Sequence, residues 1–153
     1  MAVDNYIEFK TNSIADFVKF LKNDLYLSCH NNIVTEKTND RGRNYRFENN
    51  NISAKVQTMR TTDIEFNRSE YKVDVNCAVI LREYSDTDAN SEKNIFSLII
   101  GIIKHFKGDF LYMPNGDEPI IIKHNGNVIV EDTFDNYFGE GMKKEFKKKL
   151  DEK

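Results

Sequence analysis

Two prolines among 153 residues, with no Pro/Gly/Ser-rich stretch, leave no linker, repeat or low-complexity block, and this predicts one domain over residues 1–153. Two cysteines, Cys29 and Cys77, are too few for the disulfide framework of a small secreted domain and read as reduced core or strand residues. No apolar run reaches the roughly 20 residues of a bilayer span. The longest, Ile95 to Ile103, is broken by Ser97 and Gly101. Met1 to Tyr6 carries no basic stretch leading into an apolar one, so no secretory signal is expected and the cytoplasm is the expected location. A net charge of −3 gives little general attraction for nucleic acid or an anionic membrane.

The usual reactive constellations are missing too. His30, His105 and His124 are the whole histidine stock; no two stand at i, i+4, none joins a Cys-x-x-Cys pair, and no EF-hand-like acidic loop occurs. Cys29-His30 would place thiol and imidazole on opposite faces of a strand, so it is no thiolate pair. There is no Gly-x-Ser-x-Gly elbow, Walker loop or dinucleotide fingerprint; Gly139-Glu140-Gly141 reads as an irregular first turn of the last helix. The sequence therefore predicts a protein that is not an enzyme, with no catalytic residues, no cofactor and no metal.

What is present is a mixed run of strands and helices. Tyr6 to Thr11 alternates as a half-buried strand, and Ser13 caps a helix whose stripe is Ile14, Phe17, Val18, Leu21 and Leu25. Four strands follow, at about Ser28–Lys37, Arg43–Phe47, Ile52–Met59 and Lys72–Arg82. In the last, Val73, Val75, Cys77, Val79 and Leu81 line one face, and Ala78 and Ile80 make its far end apolar on both sides, as near the centre of a sheet. A central apolar helix runs from Ser91 to Phe106, with Lys104, His105 and Lys107 at its negative end and Gly108 as a left-handed stop. Strands Asp109–Met113, Pro119–His124 and Asn127–Glu131 follow, the last two joined by Asn125-Gly126, a preferred hairpin pair. A final helix from Asn136 to Leu150 carries the stripe Phe138, Met142, Phe146, Leu150 and a lysine-rich outer face. The predicted fold is α+β, a mainly antiparallel sheet with three helices in the order β-α-ββββ-α-βββ-α.

Thr62-Asp63-Ile64-Glu65-Phe66, the apolar helix Ile95 to Phe106, Lys107-Gly108-Asp109-Phe110-Leu111-Tyr112, Asn115-Gly116-Asp117, and Ile120 to Val130 broken by Asn125-Gly126 follow one another in a recognisable pattern. It resembles the Sit-type immunity proteins that accompany bacterial polymorphic toxins, most closely over residues 95–132. The basic position near the start of that family's second apolar strand is represented here by Lys123. The resemblance implies a small antitoxin that binds a cognate protein toxin in the cytoplasm; it transfers no binding residues. From their clustering beside turns, the acids Asp86, Asp88 and Glu92, with Asp117 and Glu118, are the candidate partner-binding residues, steering toward a basic toxin such as a nuclease. The competing reading is a small-molecule-binding or sensory module without catalytic activity, which predicts a deep cavity.

Overall fold

The computed structural model describes residues 3–23, 33–39, 42–48, 52–83 and 89–152. Their order is β1 (Val3–Phe9), α1 (Ile14–Asn23), β2 (Ile33–Asn39), β3 (Gly42–Glu48), β4 (Ile52–Thr58), α2 (Thr61–Glu70) and β5 (Cys77–Glu83). Then come α3 (Ala89–His105), β6 (Phe110–Pro114), β7 (Ile121–His124), β8 (Asn127–Val130), α4 (Phe134–Phe138) and α5 (Met142–Asp151). The α+β class and the antiparallel sheet stand. Three helices become five among the described residues, and the order becomes β-α-βββ-α-β-α-βββ-α-α.

The eight strands form one sheet in the order β2-β3-β4-β5-β1-β6-β7-β8, and every neighbouring pair is antiparallel. The first strand thus sits inside the sheet, between β5 and β6, with Ile7 opposite Val79 and Tyr112 and Phe9 opposite Cys77 and Phe110. These residues are fully buried and form one core with Phe17, Val18 and Leu21 of α1, the apolar side of α3, Phe134 of α4 and Phe146 of α5. Each such side chain contributes about 1.5–3 kcal/mol of burial energy before entropy is subtracted. Among the described helices, α1, α3, α4 and α5 therefore cover one face of the sheet and α2 does not.

The local reasons are visible. Ser13 caps α1, its Oγ accepting from the Asp16 amide at 3.3 Å. Cys77 is buried in β5 as expected, and burial pushes its thiol up to about 12; Cys29 lies outside the described residues. Tyr112 Oη donates to Asn5 Oδ1 at 2.7 Å, which pairs two polar groups buried between β1 and β6. His105, at the end of α3, stacks on Phe20 with centroids 4.8 Å apart.

Four expectations change. First, Lys72–Arg82 is not one strand: Lys72 turns the chain at φ 61° and β5 starts at Cys77, just after Asn76, whose backbone still bonds Phe9 and Met59 while its side chain bonds Thr11 through both Oδ1 and Nδ2. Val73 and Val75 consequently pack on the opposite face from Cys77, Val79 and Leu81. Second, α2 escapes the periodicity test, since Asn67 is the one buried residue of its ten and no apolar stripe marks it. Third, the final helix is two, because Gly139 at φ 106° and Gly141 at φ 80° cannot lie in a right-handed helix. Fourth, Gly108 is not left-handed. It is needed because a Cβ there would lie 2.5 Å from Lys10 Cβ and 3.0 Å from the Lys10 carbonyl oxygen.

A candidate acidic and aromatic groove

On the face opposite the large core, α2 and the segment after it form a second, smaller cluster. Met59, Val73, Val75, Ala78 and Leu111 are its buried members, with Ile64, Tyr71, Met113 and Ile122 half-buried against it. Between α2 and the β6–β7 connection this layer leaves an open groove of about 460 Å³, lined by Glu8, Asp63, Phe66, Asn67, Tyr71, Met113, Gly116, Asp117 and Glu118.

Glu8 lies at the strand end of the groove because alternation in β1 turns Ile7 and Phe9 into the core and Glu8 to the other side. It is half-buried, and Asn67 Nδ2 donates to its Oε1 at 2.8 Å. Burial raises the Glu8 carboxyl above its ordinary value; the Asn67 hydrogen bond opposes that, and the Asp63 charge adds to it. Asp63 stands in the first turn of α2, where a carboxylate complements the helix dipole.

The other rim is set by the turn after β6. Asn115 at φ 56° and Gly116 at φ 74° reverse the chain, and a Cβ on Gly116 would reach the Tyr6 ring at 3.4 Å. Asp117 and Glu118 follow, both exposed. Tyr137 Oη donates to Asp117 Oδ2 at 2.8 Å and Tyr71 Oη to Glu118 Oε2 at 3.2 Å. These bonds raise the two phenols; for Tyr71 burial is the larger cause and Glu118 the second, and for Tyr137 the bond to Asp117 comes first. Phe66 is 56% exposed and meets Tyr71 edge to face at 6.0 Å.

Of the acids singled out from the sequence, Asp117 and Glu118 therefore share a site. Asp86 and Asp88 lie outside the described residues, and the side chain of Glu92 does too. The backbone of Glu92 belongs to α3, on the other face of the sheet. Glu8, Asp63 and Phe66 were not signalled as site residues, because only the unforeseen helix α2 makes the polar side of β1 into a groove wall.

A second depression, about 540 Å³, lies between α3, the β7–β8 hairpin and α5 and includes Lys104, Lys123 and Lys147. Two of these lysines already serve helix ends. Lys123 Nζ donates to the carbonyls of Ile103 and Phe106 at 2.9 and 2.8 Å, and Lys104 Nζ to those of Lys149 and Glu152. Among the described residues no group of three or more His, Cys, Asp and Glu is arranged to hold a metal ion, and no helix is long and apolar enough to cross a membrane. His124 is exposed and bonds Asp109. No protein-family model matches the chain, and no curated protein matches it either.

Proposed function

We propose that this chain is a partner-binding protein of the Sit-type immunity kind, which neutralises a cognate toxin by occupying part of its surface. The observation that carries the reading is the groove, where carboxylates and accessible aromatic surface converge on one side of a sheet whose other side is packed with helices. Aromatic residues at the centre of a patch and charges at its rim are the composition by which protein interfaces gain affinity and partner selectivity. The acidic sign suits a basic toxin, such as one that acts on nucleic acid.

The test begins with the gene beside this one. A reading frame with a variable C-terminal domain is expected there, and that domain should arrest growth when expressed alone and be tolerated when this chain is co-expressed. The two purified proteins should co-elute as a complex. Toxicity that this chain leaves untouched, or a thermal stabilisation produced by a metabolite with no protein complex, would sink the antitoxin reading.

A further inference from the structure

We infer that the groove seats an arginine side chain presented by the protein partner, with the guanidinium between Glu8 and Phe66 and the acids Asp63, Asp117 and Glu118 around it. The inference rests on the partner-binding reading and specifies its chemistry.

Three features favour this occupant. The walls are partly apolar: Phe66, Tyr71 and Met113 line the groove, and Phe66 exposes more than half of its surface, which offers a ring face to the stem and plane of an arginine. The negative charge is also uncompensated. Among the described residues, Asp4 pairs with Arg82, Asp74 with Arg68 and Lys10, and Asp132 with Lys143, yet no lysine, arginine or histidine nitrogen lies within 4.0 Å of a carboxylate oxygen of Glu8, Asp63, Asp117 or Glu118.

Glu8 is the third feature. Among the described residues it accepts a single hydrogen bond, at Oε1 from Asn67, although a carboxylate has room for about four. A half-buried carboxylate with spare acceptor capacity gains most from a cation that brings several N–H groups at once. Arginine does this better than lysine, because its planar fork can meet a carboxylate while its face lies on an aromatic ring.

The experiment is an NMR titration of the full chain with the blocked tripeptides acetyl-Gly-Arg-Gly-amide, acetyl-Gly-Lys-Gly-amide and acetyl-Gly-Glu-Gly-amide. The arginine peptide should shift, saturably, the side-chain amide of Asn67 and the backbone amides of 63–67 and 116–118. The lysine peptide should bind about threefold or more weakly and the glutamate peptide not at all. Glu8→Gln and Phe66→Ala, each checked for native circular dichroism, should weaken the arginine peptide about fivefold. Equal binding by either variant, equal affinity for lysine, or shifts confined to other surfaces would overturn the proposal. So would concentration-dependent shifts at 63–67 without peptide, since these would mean that a second copy of the chain fills the groove.

Growth protection separates the two readings. If Glu8→Gln and Phe66→Ala chains still neutralise the toxin and the arginine peptide does not bind, the arginine site falls and the antitoxin reading stands. Peptide binding in the groove by a chain that protects no cell supports the site and removes the antitoxin reading.

Discussion

Asn67 Nδ2 donates to Glu8 Oε1 at 2.8 Å, and this bond ties the second helix to a strand in the interior of the sheet across 59 positions of sequence. Asn67 is itself 4% exposed, and its carbonyl accepts from the amides of Tyr71 and Val73, so one residue anchors both the helix end and the turn that follows. Replacing it by alanine removes the sole described donor to a desolvated carboxylate. Urea unfolding of Asn67→Ala should show a loss of about 1–3 kcal/mol.

Glu8→Gln keeps the acceptor for Asn67 and removes the buried charge. The Glu8 carboxyl is raised in the folded protein, so the native state binds that proton more tightly than the unfolded state, and ionisation at neutral pH weakens folding. Glu8→Gln should accordingly be more stable than the parent at pH 7, by roughly 0.5–1 kcal/mol after screening of a half-buried group. That advantage should shrink as pH falls toward the ordinary glutamate value of 4.5, where the parent takes up its proton. A gain in stability joined to a loss of arginine-peptide affinity distinguishes a charge kept for binding from one kept for folding. Thermal melts at pH 4 and 7 supply the first half of that comparison.

The elements readable from sequence are those whose burial has a period. In β1, α1 and α3, Ile7, Phe9, Phe17, Val18, Leu21 and the isoleucines from Ile95 onward repeat at two or near 3.6 positions, and all enter the large core. The Asn125-Gly126 turn was equally legible, both residues having positive φ. Helix α2 was not, because its work is done by one buried asparagine and a few half-buried contacts, which leave no stripe. Without α2 the groove has no signature, since Glu8 and Asp117, 109 positions apart, are linked only as lining residues of a groove that α2 completes. The periodicity does not show the break at Gly139 and Gly141 because the stripe Phe138, Met142, Phe146 and Leu150 continues across it; all four pack on the same core from two separate helices.

Lys123 makes a different kind of contact. It is 7% exposed in β7, and its ammonium donates to two carbonyls at the end of α3, those of Ile103 and Phe106. Those carbonyls have no partner further along the helix, and a cation there also meets the negative end of the dipole. Lys123→Met preserves the stem and removes the donors. It should cost about 2–3 kcal/mol in urea unfolding and speed amide exchange in the last turn of α3. Arginine-peptide binding should be unchanged, because the groove lies on the other face of the sheet.

Gly108 tests close approach without any demand for positive φ. Its backbone runs against Lys10 so tightly that a methyl group would lie 2.5 Å from one carbon and 3.0 Å from a carbonyl oxygen of that residue. The Lys10 amide donates to the Asp109 carbonyl at 3.0 Å, and the two segments cannot separate without straining that bond. Gly108→Ala should therefore lower stability by about 1–3 kcal/mol, the range for overpacking a tight site. A variant with an unshifted unfolding midpoint would show that the chain slides apart here at no cost.

Asp109 draws three chain segments together, and acid should release them. Its Oδ2 accepts from the Asp74 amide at 2.8 Å and from His124 Nδ1 at 2.9 Å, and its Oδ1 accepts from the Asn125 amide at 3.3 Å. Partial burial alone would raise this carboxyl, but the Asp74 amide, His124 and the Asn125 amide outweigh it and hold Asp109 below the ordinary 3.8. A depressed carboxyl stabilises the fold above its unfolded value, and that stabilisation is lost as pH falls through the folded value. At pH 7 the parent should exceed Asp109→Asn by about 1–2 kcal/mol, a gap expected to narrow below pH 3.8 as the parent carboxyl takes up its proton. Denaturant titrations of both proteins between pH 2 and pH 7 would measure this gap directly, and a difference that stayed constant through the acid range would show that the carboxylate charge plays no part in joining the three segments.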